Sequence, residues 1–133
     1  MNDLTQLGYQ LDGYVATLTL NAPPVNALTR TLNDELTLAL DRISEMDTVR
    51  AVILTGAGKV FCAGADVSAG AGAFDTQSGE GAKNFGARGD GTRADSNFIK
   101  AMMNCRKPSL VAFNGSAAGV GLTLTLSCDI RIA

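Results

Sequence analysis

A helical stripe running into a short apolar segment limits this chain's fold more than any other feature. Leu28, Leu32, Leu36, Ala39, Leu40, Ile43 and Met46 recur on one face at helical spacing. Thr29 stands where an N-cap belongs, and Asp34 and Glu35 lie toward the positive end of that helix. The run Ala51-Val52-Ile53-Leu54-Thr55 follows and stops at Gly56. A continuous β-branched run after a helix indicates a buried parallel strand, so the pattern predicts a βαβ unit and an α/β fold.

The flanking segments fit that frame. Asp12-Gly13 supplies the positive φ angles of a hairpin turn between Tyr9–Leu11 and a strand in which Ala16, Leu18 and Leu20 alternate with Val15, Thr17 and Thr19. Asn21-Ala22-Pro23-Pro24 ends that strand, because proline cannot donate to a ladder. Phe98, Ile99, Met102 and Met103 mark a second helix that stops before Pro108, and Ser109–Phe113 reads as another buried strand closed by Asn114-Gly115. Leu122-Thr123-Leu124-Thr125-Leu126 alternates like a strand, although Gly119 and Gly121 before it suit a turn into a helix. Asp129–Ala133 reads as the start of a further strand, with no turn or cap after it. Between Gly64 and Gly91, eight of 28 residues are glycine and large apolar side chains are scarce, which predicts a flexible loop over about 70–91.

Composition narrows the chemistry. The 133 residues include no histidine, which removes Ser-His-Asp and Cys-His nucleophile pairs and any imidazole base. Acid–base work would fall to carboxylates, Lys, Tyr, Cys or bound water. With 13 acids, 11 bases and scattered cations, no phosphate-tracking stripe exists, so a nucleic-acid partner is not expected. Cys62, Cys105 and Cys128 have no CxxC spacing and read as reduced thiols near the core, not as metal ligands. No apolar run reaches membrane-spanning length and no signal sequence is evident, so a cytoplasmic protein without a membrane partner is expected.

Gly56-Ala57-Gly58-Lys59 follows a strand but lacks both the upstream glycine spacing of a phosphate loop and its Ser or Thr after lysine. Two other glycine turns carry more. Phe61-Cys62-Ala63-Gly64-Ala65-Asp66 and Asn114-Gly115-Ser116-Ala117-Ala118-Gly119-Val120-Gly121 both follow expected parallel strands, where α/β folds place their sites. Small residues there let backbone N–H groups approach a ligand closely.

Together with Leu20–Leu28, Val49–Gly56, Lys107-Pro108 and Cys128–Ala133, these turns make the chain resemble the enoyl-CoA hydratase/isomerase (crotonase) superfamily over nearly its whole length. The resemblance implies a crotonase-like spiral of repeated ββα units, incomplete here, so that residues 1–133 form the N-terminal part of one domain. It implies an acyl-CoA thioester as substrate, coenzyme A entering only as part of it, with no separate cofactor. The partner would be further copies in a trimer or hexamer, or a polypeptide carrying the C-terminal half.

By the same resemblance, the backbone N–H groups of Ala65 and Val120 would hold the thioester oxygen. Val25, Ala27, Ala63, Asp66, Val67 and Ser68 would line the substrate path, with Asp66 more readily a structural carboxylate than a base. The helix reading of residues 120–127 then replaces the strand reading. Three departures stand out: Thr123 occupies a position where hydratases carry a glutamate, Val120 replaces a glycine, and Ala22 replaces a basic residue. A hydroxyl at Thr123 cannot usefully accept a proton near neutral pH. The expected activity is therefore hydratase/isomerase-like, needing sequence beyond residue 133, with sibling reactions (isomerase, thioester hydrolase, decarboxylase) and a non-catalytic acyl-CoA-binding subunit as alternatives.

Overall fold

The computed structural model describes residues 1–66, 68 and 98–133. The loop expected over 70–91 lies outside the described residues. The hairpin forms as the Asp-Gly signal predicts: β1 (Leu7–Asp12) pairs antiparallel with β2 (Val15–Leu20), and Gly13 takes a φ of 56°. Ala16, Leu18 and Leu20 turn inward and are fully buried.

Helix α1 (Arg30–Glu45) starts at Thr29, whose side-chain oxygen accepts from the Leu32 N–H at 3.1 Å. That hydroxyl satisfies one of the N–H groups a helix start leaves without a partner. Leu32, Leu36, Ala39, Leu40 and Ile43 bury one stripe, as their spacing requires. The acids do not serve its positive end, since the first turn contains none. Glu35 instead reaches back to the chain start: its carboxylate oxygens accept from the Thr5 N–H and hydroxyl at 2.7 Å and from the Gln6 N–H at 2.8 Å.

Strand β3 (Ala51–Gly56) returns parallel to β2 and completes the βαβ unit, with β4 (Val60–Cys62) close behind. Helix α2 (Phe98–Asn104) packs on α1 through Phe98, Ala101 and Met102, and the Asn33 side-chain oxygen accepts its first N–H at 3.4 Å. Strand β5 (Ser109–Ala112) lies parallel to β3, and β6 (Ser116–Ala117) parallel to β4. Residues 120–127 are helical: α3 (Val120–Thr123) runs into a 3₁₀ turn, Leu124–Ser127. Strand β7 (Ile130–Ile132) then joins β5 in parallel. The main sheet has the order β1-β2-β3-β5-β7, and β4-β6 form a small second sheet.

Phe61 anchors the core between the sheets, its ring meeting Phe113 edge-on at 4.9 Å and 63°. Cys62 and Cys128 are buried and Cys105 half-buried, all as free thiols. Among the described residues, no helix is long and apolar enough to cross a membrane.

Candidate functional site

The segment Cys62–Asp66 leaves β4 and runs between two loops that grip it. On one side, Ala63 N–H donates to Val25 O at 3.0 Å, Leu28 N–H to Gly64 O at 2.7 Å, and Asp66 N–H to Leu28 O at 3.3 Å. On the other, Ala118 N–H donates to Cys62 O at 3.0 Å. Leu28 and Ala65 form a parallel bridge in which the bonds use Gly64 and Asp66, so the N–H of Ala65 points away from Leu28. Between described residues, neither the Ala65 nor the Val120 N–H has an acceptor.

Two asparagine side chains fix the turn before this segment. Asn26 is 2% exposed and sits at a φ of 51°, a left-handed conformation that asparagine tolerates better than most residues. Its Oδ1 accepts from Ala22 N–H at 2.9 Å. Its Nδ2 faces the carbonyls of Ala57 and Val60 at 2.9 Å and of Phe61 at 3.2 Å. From the opposite side, Asn114 accepts from Gly56 N–H at 3.0 Å and donates to Gly58 O at 3.0 Å and Val60 O at 3.4 Å. Both residues lie within the sequence motifs, but sequence reading gave neither a task, because all their partners except Ala22 lie 31 to 58 positions away.

The second glycine turn is pressed against the first. Gly64 and Gly119 have φ values of 103° and 54°, and a Cβ on Gly64 would lie 2.9 Å from Ala118 O. A Cβ on Gly121 would lie 2.4 Å from Cys62 O, so only glycine lets α3 approach β4 this closely. Behind α3, the Arg131 guanidinium donates to the carbonyls of Thr125 at 3.2 Å and Cys128 at 3.0 Å. The Asp129 carboxylate accepts from the Ser109 N–H at 2.7 Å and hydroxyl at 3.1 Å, and these bonds hold its pKa below the ordinary value. It is a structural carboxylate. Burial pushes the Cys62 and Cys128 thiols up, which keeps both protonated near neutral pH.

A cavity of about 680 Å³ opens beside this arrangement, and its lining includes Val25, Ala27, Ala63, Ala65, Asp66 and Ser68. Six of the residues expected at the site thus share one cavity. Thr5, Gln6 and Asn21 form a polar part of its wall that sequence reading did not anticipate, positioned in part by Glu35. Among the described residues, Asp66 is the cavity's one lining carboxylate, and its Oδ1 accepts from the Ser68 N–H at 3.0 Å. Val67 lies outside the described residues.

Val120 is half-buried and packs on the core at the start of α3. Thr123 lies elsewhere. It is exposed, its hydroxyl donates to Gly119 O at 3.1 Å, and it lines a separate cavity of about 460 Å³. Among the described residues no group of three or more Cys, Asp or Glu could hold a metal ion.

A family model described as enoyl-CoA hydratase/isomerase matches residues 11–133. A curated relative, a probable enoyl-CoA hydratase of Mycobacterium tuberculosis, is 41% identical over 125 residues, which is 92% of this chain and 44% of that protein. The solved structure of DspI from Pseudomonas aeruginosa superposes with a TM-score of 0.79 at 33% identity, covering 100% of this chain and 51% of its own. An enoyl-CoA hydratase/isomerase structure from Pseudoalteromonas atlantica gives 0.76 at 37% identity, covering 96% and 46%. The chain spans about half the length of the proteins it matches.

Proposed function

The chain belongs to the enoyl-CoA hydratase/isomerase family and has the crotonase-like fold, and from that premise we propose that it is the part of an acyl-CoA-processing enzyme that holds a thioester carbonyl. The carbonyl oxygen takes two hydrogen bonds, from the N–H groups of Ala65 and Val120. The observation that carries this reading is the pair of abutting glycine turns, each followed by an N–H with no acceptor between described residues.

Charge moves onto the thioester oxygen when a proton leaves the adjacent carbon or a nucleophile adds to the conjugated double bond. Backbone donors fixed by the surrounding fold stabilise that charge without reorganising, and one such donor is worth about 10²–10³ in rate. Val120 opens α3, so the partial positive charge of the helix start adds to the same field. The 680 Å³ cavity beside Ala65 takes the neutral, amide-bearing arm of the thioester, and coenzyme A enters as part of the substrate.

Thr123 does not act as a base. Its hydroxyl proton is engaged by Gly119 O, and a hydroxyl has no useful basicity near neutral pH. With no base at Thr123, the resemblance implies a proton-accepting group from sequence beyond residue 133, in a trimer or hexamer or in a polypeptide carrying the other half of the fold.

Assay of the complete assembly against a short 2-enoyl-CoA, following loss of the conjugated enoyl absorbance, tests this reading. Turnover is expected. Retained thioester binding with no turnover would overturn it in favour of a non-catalytic acyl-CoA-binding subunit, a reading that Thr123 favours. Turnover of a 3-enoyl-CoA or hydrolysis of a saturated thioester, with the 2-enoyl-CoA inert, would reassign the chain to a sibling reaction.

A further inference from the structure

One wall of the cavity at Ala65 is held by a chain of hydrogen bonds that begins on α1. Glu35 is half-buried there, and its carboxylate accepts from the Thr5 N–H and hydroxyl at 2.7 Å and from the Gln6 N–H at 2.8 Å. The Gln6 carbonyl accepts from the Asn21 N–H at 2.8 Å. The side-chain Oε1 of Gln6 accepts from the Thr29 hydroxyl, which itself accepts from the Leu32 N–H at the start of α1. Backbone N–H, backbone carbonyl and side-chain oxygen of Gln6 are all committed to the fold. Its two carboxamide N–H groups are left with no acceptor between described residues.

Thr5, Gln6 and Thr29 line the cavity, so this donor pair belongs to its wall. A donor already held in place costs a ligand little side-chain entropy to use. Asn21 shares the wall but is exposed, and its carboxamide has no partner among the described residues, so a ligand would have to order it. Elsewhere the lining is mainly apolar, from Ala22, Pro23 and Pro24 to Ala63, and among the described residues it contains no Lys or Arg. With Asp66 as the lining carboxylate, such a wall suits a neutral carbonyl oxygen and disfavours a phosphate.

We propose that Gln6 is a specificity-determining residue whose carboxamide N–H groups donate to an amide carbonyl on the thioester's arm, and that Glu35 is the positioning residue that holds Gln6 there. The proposal rests on the acyl-CoA reading above. The arm is held alike before and during reaction, so this contact lowers KM and leaves the chemistry to the donors at Ala65 and Val120.

Equilibrium binding of butyryl-CoA and of butyryl-pantetheine, which keeps the amide-bearing arm and lacks the nucleotide, to the complete assembly tests it. Gln6→Met removes the donors without adding charge, and Gln6→Glu removes them while keeping an oxygen for the Thr29 hydroxyl. Each should raise the dissociation constant of both thioesters by about tenfold. Glu35→Ala should raise both by about threefold or more, and should add nothing in a Gln6→Met background, because it acts through Gln6. In turnover of a short 2-enoyl-CoA, the loss in the Gln6 and Glu35 variants should fall on KM more than on kcat. A wild-type assembly that binds neither thioester would overturn the acyl-CoA reading and this proposal with it. Wild-type binding matched by both Gln6 variants would overturn the Gln6 assignment alone. A loss confined to butyryl-CoA would move the acceptor to the nucleotide and overturn it too, and additive effects in the double variant would remove Glu35 from the positioning role.

Discussion

Gly64 and Gly119 meet back to back: a Cβ added to Gly64 would stand 3.8 Å from the Cα of Gly119, and both residues hold left-handed φ angles. The two turns that precede Ala65 and Val120 are therefore one packed unit, and no side chain separates them. Substitutions in the unit should differ by available space. Gly119→Ala meets nothing nearer than 3.9 Å and should cost only the backbone strain of a φ of 54° with a ψ of −128°, about 1–3 kcal/mol. Gly121→Ala drives a methyl into Cys62 O at 2.4 Å and should cost at least about 3 kcal/mol. Urea unfolding of both variants measures the order, and a Gly119→Ala chain less stable than Gly121→Ala would contradict the packing described.

Asn26 separates backbone from side-chain contributions. Asn26→Gly keeps the left-handed backbone available and removes only the amide that ties Ala22 to Ala57, Val60 and Phe61. It should destabilise the chain by about 2–4 kcal/mol, since buried carbonyls lose their donor. Asn26→Ala should lose about 1 kcal/mol more through φ strain. Equal stability of wild type and Asn26→Gly in thermal unfolding would show that the amide contacts are idle.

Acid should weaken the β5–β7 junction. The bonds from Ser109, first its N–H and then its hydroxyl, lower the Asp129 pKa below 3.8. A carboxyl whose folded pKa is depressed contributes stability that is present above its unfolded value and lost as pH falls through the folded one. The loss therefore falls below 3.8. Asp129→Asn should lower the unfolding midpoint near neutral pH and flatten its decline in acid. Parallel acid declines for variant and wild type would assign that pH dependence to other groups.

Ala65→Pro removes the N–H proposed to hold the thioester oxygen and breaks no bond made between described residues. In the complete assembly, kcat should fall by about 10²-fold or more, with a smaller change in KM. An unchanged kcat in a properly folded variant would displace Ala65 from that role.

Local features were legible from sequence because their causes lie within a few residues. Asp12-Gly13, the Thr29 cap and the β-branched run of β3 each act over one turn of chain, and each formed as read. The segment from Leu122 to Leu126 misled the pattern for a physical reason. Leu124 is buried while Leu122 and Leu126 are exposed, so the apolar alternation combines a core contact with an uncovered surface. The glycines before it, Gly119 and Gly121, and the resemblance pointed to a helix there. Glu35 likewise looked like a charge for the start of α1, but its partners are Thr5 and Gln6, a wall of the cavity. Contacts that join loops 29 to 58 residues apart leave no periodic trace, and they hold the site together.

The order of strands in the main sheet also bears on how the chain is made. Each strand after β1 in β1-β2-β3-β5-β7 pairs with one that precedes it in sequence, and none is inserted between two already joined. A ribosome releasing this polypeptide from its N-terminus can therefore add every strand to a finished edge as it emerges, without opening what has already formed.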